Sequence, residues 1–479
     1  MNQPTTPYPF QAKGVRKIIV CQGTTLLADE MGLGKSPQAL WAMQKLSPAG
    51  RAVVIVCPAS LKENWRREVR KHLGRRATVL HHLRPPRGWA PAGPGGIYII
   101  GYDCLARAVA RRSTGWVPGS WGPALADLRP AMVIVDECQM IANPTALRSR
   151  ATKRLARPCP RRLALGGTGG LNHRPIELWN TLNMLWPQRF GSRFAFAKEF
   201  CELKKNPYGF WDYSGASHLD RLHQQLTDLG MVRRRKEDVL TELPAKTRVI
   251  ITLTLPTAAQ GLYTKAAEQA RTFLAQAEKR LPGLTDARER RDLLTEVRHR
   301  LWGVKARVGR LKLPQVIHWV GDFLSSGEKL LLFGIHHNVL RPLHRHFDRL
   351  AVLVDGDVTG AERQAAFDQF NANPAVRLLV GHIDAAGLGW SCSSASNVAF
   401  AELAWGPAQH EQAEERVRGL GRGTGLPVTA HYLIAQDTVE ERLCRALTRK
   451  SGHLGAVLDG RPAPSVNLTT VLKRALLAG

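Results

Sequence analysis

Along the first half of the chain, short apolar runs alternate with stretches whose apolar residues recur every three or four positions. Arg51-Ala-Val-Val-Ile-Val-Cys57 is followed by the amphipathic stretch from Leu61 to Leu73, and further apolar runs stand at 96–101 and 131–135. Apolar runs of strand length separated by helical periodicity predict βα units and a parallel sheet, whose strands are buried on both faces. A second series begins at Lys329-Leu-Leu-Leu-Phe333 and continues through 351–354, 376–380 and 398–401. Between the two, Pro256 to Leu311 is rich in Ala, Glu, Gln, Leu and Arg at helical spacing, broken once at Pro282-Gly283. The pattern predicts an α/β chain with two parallel-sheet lobes and a helical insertion between them. The expected boundaries are 1–245 for the first lobe, 246–320 for the insertion and linker, 321–455 for the second lobe and 456–479 for a tail.

Composition narrows the class. A length of 479 residues fits roughly two to four domains of ordinary size. The longest apolar runs fall far short of the ~20 residues a bilayer span needs, so no membrane partner is expected. Polar and proline residues open the chain where a secretory signal would carry a basic patch and an apolar stretch, so a cytoplasmic, DNA-associated location is expected. Eight cysteines are scattered with no CxxC pair, which speaks against a zinc module and a disulfide scaffold and for small core residues. Lys and Arg number 68 against 39 acidic residues, a net charge of +29. Such an excess favours a polyanionic partner, nucleic acid foremost, because basic side chains displace condensed counterions from phosphates. The plainer account is an arginine-rich composition spread over every surface.

Two segments carry chemistry. Leu26-Leu-Ala-Asp-Glu-Met-Gly-Leu-Gly-Lys-Ser36 lies between an apolar stretch and an amphipathic one from Gln38 to Lys45. Gly32 and Gly34 allow the backbone to turn its amides toward an anion. Lys35 is suited to the β- and γ-phosphates of ATP and the Ser36 hydroxyl to Mg²⁺, with the positive end of the following helix aimed at the same phosphates. The strict pattern has a glycine where Asp29 stands. Ala131-Met-Val-Ile-Val-Asp-Glu-Cys-Gln139 reads as a buried strand with two carboxylates at its C-terminal edge. There Asp136 can hold the metal through water while Glu137 orients and deprotonates the attacking water. Either segment alone could be a plain turn or a solvated pair of acids; together they read as an ATPase.

From about residue 7 to residue 450 the chain resembles the Swi/Snf helicase-like ATPases, in particular their annealing-helicase branch reduced to its motor core. Tyr8-Pro-Phe-Gln11 resembles the family's adenine-reading glutamine motif, and Asp29 to Ser36 its DEMGLGKT. Cys57-Pro-Ala-Ser-Leu-Lys-Glu-Asn-Trp65 with Glu68, Gly101-Tyr-Asp-Cys-Leu105 and Asp136 to Gln139 resemble the motifs that follow. Phe200-Cys201, Trp211, Met231-Val-Arg-Arg-Arg-Lys-Glu-Asp-Val239 and Leu243-Pro-Ala-Lys246 resemble the close of the first lobe. Leu332 to His337, Asp355-Gly356, Glu362-Arg363-Gln364, Ala385-Ala-Gly-Leu-Gly389, Trp405 and Gln412 to Val417 resemble blocks of the second. The resemblance implies two RecA-like lobes that bind ATP through Gln11, Asp29, Gly32, Gly34, Lys35 and Ser36, with Mg²⁺ on Ser36 and Asp136. It implies catalysis by Lys35, Asp136, Glu137 and Arg416, coupled to movement along double-stranded DNA.

Three departures matter. The family's LTGTP appears as Leu165-Gly-Gly-Thr-Gly169, followed by Asn172, and the extra glycine at 166 and 169 gives that coupling loop more backbone freedom. In the last motif, family QAxxRxHRxGQ, the second arginine falls on Gly419 and the final glutamine on Arg422. An arginine finger is worth roughly 10³–10⁵ in rate, so Arg418 or Arg422 is expected to replace it, or turnover is slow. Gln139 stands for the usual histidine.

For DNA, Lys62 and Asn64 on the first lobe and His336 and His337 on the second occupy places where the family contacts phosphates. Trp65 reads as packing, with contact to a sugar or base as the alternative. Arg233-Arg-Arg-Lys236 reads either as a solvated helix face or as part of the lobe junction. The two histidines lack acidic or thiolate company in sequence, so no metal is expected there. No base-reading motif is present, so backbone binding without sequence specificity is expected. The expected function is an ATP-dependent duplex-DNA translocase or remodeller serving repair, fork or protein–DNA remodelling, with partner proteins supplying targeting. The alternatives are a catalytically weakened ATP- and DNA-binding clamp subunit and a strand-separating helicase.

Overall fold

The computed structural model describes residues 5–450 except 48–49, 92, 94, 110–114, 168–173, 206–210, 214, 241–245, 285, 359, 387–391, 393, 405–406 and 418–426. The chain divides into two compact units, with the sequence boundary between residues 243 and 244.

In the first unit the strands are β1 (Thr25–Leu27), β2 (Val53–Cys57), β3 (Thr78–Leu80), β4 (Ile97–Gly101), β5 (Met132–Val135) and β6 (Arg161–Leu165). They form one parallel sheet in the order β1-β6-β5-β2-β4-β3. Every residue of β2, β4 and β5 is buried, as the continuous apolar runs require of strands covered on both faces. Helix Lys62–Leu73 lays Leu61, Trp65, Val69 and Leu73 on one side, a spacing of four that matches the helical repeat. Because β1, β6 and β5 are neighbours, the loops leaving their C-terminal ends converge on one edge of the sheet. A short antiparallel hairpin, β7 (Lys204–Lys205) and β8 (Trp211–Asp212), stands apart from that sheet.

The second unit holds β9 (Lys246–Leu253), β10 (Leu330–Gly334), β11 (Ala351–Val354), β12 (Leu378–His382), β13 (Asn397–Phe400) and β14 (Val428–Ala435). These too form a parallel sheet, in the order β11-β12-β10-β13-β14-β9. The molecule is therefore built on two RecA-like lobes. Residues 246–253, expected in the helical insertion, are instead the edge strand of this second sheet. Their exposed outer positions include Thr247, Arg248 and Ile250, and that mixed face hid the strand from a reading based on apolar runs.

The expected helical pair runs Thr257–Arg280 and Ala287–Leu311, with the break at Leu281–Gly283. Tyr263, Ala267, Ala270, Leu274 and Ala277 form a buried stripe at alternating steps of four and three. Tyr263, Ala267, Ala270 and Leu274 of that stripe share a core with Leu301, Val304, Val308, Phe333 and Phe400, so the hairpin is part of the second lobe's packing. Lys312 and Glu440 form a fully buried ion pair at 2.6 Å, and Lys312 Nζ also donates to the Leu433 carbonyl. All eight cysteines are free and seven are buried. Among the described residues no helix is long and apolar enough to cross a membrane.

Candidate nucleotide site

The loop after β1 leads into helix Lys35–Leu46, whose N-cap is Gly34. Gly32 and Gly34 have φ of +84° and +72°, a left-handed backbone that strains any side chain. At Gly34 there is also no room, since a Cβ would lie 2.4 Å from Gln11 Nε2. Gln11 is buried and clamps this loop, donating to the Leu33 carbonyl at 3.1 Å while its Oε1 accepts from the Tyr8 amide. Lys35 lies at the first position of the helix and its Nζ donates to the Asp29 carbonyl at 2.9 Å. Burial lowers the Lys35 pKa, against the opposing pull of the carboxylates of Glu137, Asp29 and Asp136. Ser36 is half-buried beside it.

Asp136 and Glu137 follow β5 on the same sheet edge. Asp136 is fixed from three sides: Trp65 Nε1 donates to its Oδ2 at 2.8 Å, the Glu137 amide donates to its Oδ1 at 2.9 Å, and the Tyr102 hydroxyl donates to its carbonyl at 2.6 Å. Burial, then the charge of Glu137, raises the Asp136 pKa to about 7. A cation beside that carboxyl would draw it into its ionised form. Glu137 itself sits at φ +48°, a left-handed turn uncommon for a side-chain-bearing residue and frequent at active sites. Gln139 Nε2 donates to Glu137 Oε2 at 2.6 Å, while Gln139 Oε1 is buried without a partner among the described residues. Thus Gln139 takes up the orienting position on Glu137 and still has an acceptor to offer. A lysine, two carboxylates and an open acceptor gathered on one edge are a donor set that could hold a nucleotide and its metal, with Lys35, Ser36 and Asp136 the candidates to bind them.

Asp29 departs from its expected place among the nucleotide-binding side chains. Its carboxylate is fully buried and turned to Arg234, whose Nε donates to Oδ1 at 2.9 Å, and to Gln38 Nε2 at 3.0 Å. Only its carbonyl serves Lys35. The run Arg233 to Lys236 is no solvated helix face. Its backbone continues the sheet beside β1, with Ala28 bonded to Val232 and Glu30 to Arg234. Arg233 Nη1 reaches the carbonyls of Ala28 and Gly167, Arg234 lies over the Phe10 ring at 5.4 Å, and Lys236 is 1% exposed. The Lys236 amide donates to Glu30 Oε2 at 2.7 Å. This arginine run braces the nucleotide loop from beneath. In the glycine-rich departure after β6, the Gly166 amide donates to Leu27 O, and a Cβ on Gly167 would lie 2.3 Å from Met31 Cγ. Gly169 and Asn172 lie outside the described residues.

Of the residues expected to meet DNA, Lys62 donates to the Leu80 carbonyl at 3.2 Å and Asn64 is half-buried. Trp65, at 1% exposure, is packing and a support for Asp136, with no face left for a base. In the second lobe the two histidines have acidic company after all, supplied from distant strands. His336 Nδ1 lies 2.6 Å from the buried carboxylate of Glu402, which also accepts from the amides of Ile335 and His336. His337 Nδ1 lies 3.2 Å from Asp355, and together with Asp357 these form a group of metal-ligand types. Arg341 pairs with both aspartates, one guanidinium offsetting part of the charge of two carboxylates. Arg416 is half-buried in the turn Glu415–Val417, where its carbonyl accepts from the Cys392 amide at 2.9 Å. Arg418, Gly419 and Arg422 lie outside the described residues.

Sequence reasoning missed Gln38, Tyr102, Arg234 and Glu402. Gln38 stands one turn into the helix beside Lys35, and Tyr102 and Arg234 lie within the quoted family-like stretches, but what each of these two touches is set across long separations, as for Glu402, and no local spacing reports it.

A family model described as the SNF2-related domain matches residues 10–295, and one described as the helicase conserved C-terminal domain matches residues 314–420. The DNA annealing helicase and endonuclease ZRANB3 of Homo sapiens is 31% identical over 465 residues, covering 95% of this chain and 40% of that protein. The SWI/SNF-related matrix-associated actin-dependent regulator of chromatin subfamily A-like protein 1 of Xenopus laevis is 30% identical, covering 93% of this chain and 43% of that protein. The chain thus spans less than half the length of either relative. Among solved structures, the Sulfolobus solfataricus SWI2/SNF2 ATPase core in complex with dsDNA aligns with a TM-score of 0.43 at 22% identity, over 93% of this chain and 92% of that one. With more than half of its residues matched by the first model, the chain belongs to the SNF2-related family of helicase-like ATPases.

Proposed function

We propose that this chain is a DNA-dependent ATPase that couples ATP hydrolysis to movement along duplex DNA, in the service of DNA repair or remodelling. The observation that carries the reading is the set built on one sheet edge: Lys35 after β1, and Asp136 and Glu137 after β5, each held by named partners. Bound ATP and its Mg²⁺ would supply the phosphoanhydride and the charge neutralisation for phosphoryl transfer. Within the chain, Lys35 and Ser36 bind, Asp136 holds the metal position, and Glu137, steadied by Gln139, orients a water and takes its proton. Arg416, with Arg418 or Arg422, is the proposed source of the second lobe's positive charge. A net charge of +29 supports a polyanionic track, and the curated relatives named as annealing helicases support DNA as that track.

The test is ATP turnover by the purified chain alone and with duplex DNA, single-stranded DNA or RNA, with Lys35→Ala as the control. Stimulation by duplex that is lost in the control supports the motor. Binding of ATP and DNA with no turnover under any condition would instead make the chain a clamp, consistent with glycine at 166 and 419. A forked-duplex unwinding assay separates translocation from strand separation.

A further inference from the structure

Strand β9 stands near the start of the second unit, its first residue, Lys246, three positions beyond Leu243. Side chains two apart on a strand share a face, so Lys246 and Arg248 project to the same side of the sheet. The register sets Arg248 beside Ala430 and Ile250 beside Tyr432 on β14, which brings the Tyr432 side chain to that side as well. Helix Pro407–Glu414 packs there through His410, which stacks on Tyr432 at 5.6 Å, meets Phe400 edge-on at 4.8 Å and accepts from the Ala404 amide at 3.2 Å.

The helix ends on a carboxylate with four donors. Arg248 grips Glu414 with two prongs, Nε to Oε1 at 2.7 Å and Nη2 to Oε2 at 2.8 Å. Lys246 Nζ donates to Oε2 at 3.0 Å, and the Tyr432 hydroxyl to Oε1 at 2.8 Å. Lys246 Nζ also reaches Glu415 Oε1 at 3.3 Å, and both glutamates are buried. Arg416 is the next residue. Its carbonyl accepts from the Cys392 amide at 2.9 Å, and Val417 after it is wholly buried in the core of the lobe. The backbone that carries Arg416 is thus pinned on both sides, and two cations of β9 pin it upstream. A buried ion pair adds little net stability over apolar packing of the same volume. A buried polar network with its bonds made does fix a geometry.

We propose that Lys246 and Arg248 are positioning residues for Arg416, holding its backbone where the guanidinium can meet the transferring phosphoryl group. The inference rests on the reading of the chain as an ATPase whose second lobe supplies that charge. A misplacement of about 1 Å in such a group can cost about 100-fold in rate, so two residues that act only through a neighbouring turn can govern turnover.

The experiment uses the full chain in duplex-stimulated ATP turnover, with Lys246→Gln, Arg248→Gln and Arg416→Ala singly and with Arg248→Gln and Arg416→Ala combined. Affinity is measured in parallel for ADP with aluminium fluoride, which mimics the phosphoryl group in transfer, and for a non-hydrolysable ATP analogue, which mimics bound substrate. Each β9 variant should lose about 10- to 100-fold in kcat with little change in KM for ATP, and should bind the fluoride complex more weakly while keeping its affinity for the analogue. In the Arg416→Ala background, Arg248→Gln should weaken the fluoride complex no further, because both changes remove one contact. A loss of the same size in both backgrounds overturns the positioning role. Equal weakening of the two ligands overturns it as well, since that is what a merely loosened lobe would give, and so does full kcat in both β9 variants. Full turnover by Arg416→Ala removes Arg416 from the chemistry and the positioning role with it, while leaving the motor reading intact. No turnover by the parent chain overturns the motor reading itself, and the positioning role with it. Should Arg248→Gln fail to fold, Lys246→Gln decides by the same readings, alone and combined with Arg416→Ala.

Discussion

Arg234 and Asp29, 205 positions apart, form a two-pronged ion pair beneath the nucleotide loop, with Arg234 Nε donating to Asp29 Oδ1 at 2.9 Å and a second nitrogen bonded to Oδ2. Asp29 is fully buried, so the pair cannot be replaced by water. Arg234→Ala should therefore cost about 3–5 kcal/mol by chemical denaturation, because it strands a buried carboxylate. Asp29→Asn in that background should recover much of the loss. A cost below about 1 kcal/mol, the range of exposed pairs, would show that the brace contributes nothing.

Trp65→Phe keeps most of the packing and deletes the donor to Asp136 Oδ2. Partners of this kind orient a metal-binding carboxylate, and their loss typically weakens metal affinity about 10–100-fold. The expected outcome is a higher Mg²⁺ requirement for turnover, recovered at high Mg²⁺. An unchanged Mg²⁺ titration would leave Trp65 with a packing role alone.

Glu137→Gln should abolish hydrolysis while ATP and DNA still bind, since the amide cannot take a proton. Gln139→Ala should act through Glu137, lowering kcat more than it changes KM, by about 10-fold on the scale of a lost orienting contact. Steady-state kinetics of both variants tests the pair. Normal turnover by Glu137→Gln would remove Glu137 from the chemistry.

Acid should loosen the second lobe through Glu414. Burial alone raises the pKa of this carboxyl, but hydrogen bonds from Arg248 and the charges of Lys246 and Arg248 override it and hold the value down to about 2, from 4.5. A folded value below the unfolded one means that stability is present above about pH 4.5 and is lost as the pH falls toward 2. Glu414→Gln should flatten the stability profile in that window, read from denaturant midpoints at successive pH values. Parallel profiles for the two chains would show that Glu414 is not the titrating group.

Much of this candidate site is legible in the sequence because its words are local. The glycines at 32 and 34, Lys35 and the acids after a wholly apolar strand sit within short stretches, and the strands themselves announce their burial by continuous Val, Ile and Leu. What stayed hidden depends on separations of tens to hundreds of residues. Asp29 looks like a loop residue until Arg234 is brought to it, and the histidines at 336 and 337 look unaccompanied until β11 and the end of β13 deliver Asp355 and Glu402. Trp65 reads as packing, yet its indole N–H carries a second role that the sequence does not reveal. The edge strand β9 gives no continuous apolar run because one of its faces is wet.

That same β9 sets an order of assembly for the second lobe. It pairs through eight successive residues with β14, from Lys246 opposite Val428 to Leu253 opposite Ala435, although nearly the whole lobe is synthesised between them. As the chain leaves the ribosome, β9 emerges early and waits without its strand partner until β14 arrives. A product interrupted before β14 would expose two open strand edges, β9 and β13, each a template for pairing with another chain. Among the described residues this sheet is thus completed only at β14, and incomplete copies carry their own tendency to aggregate.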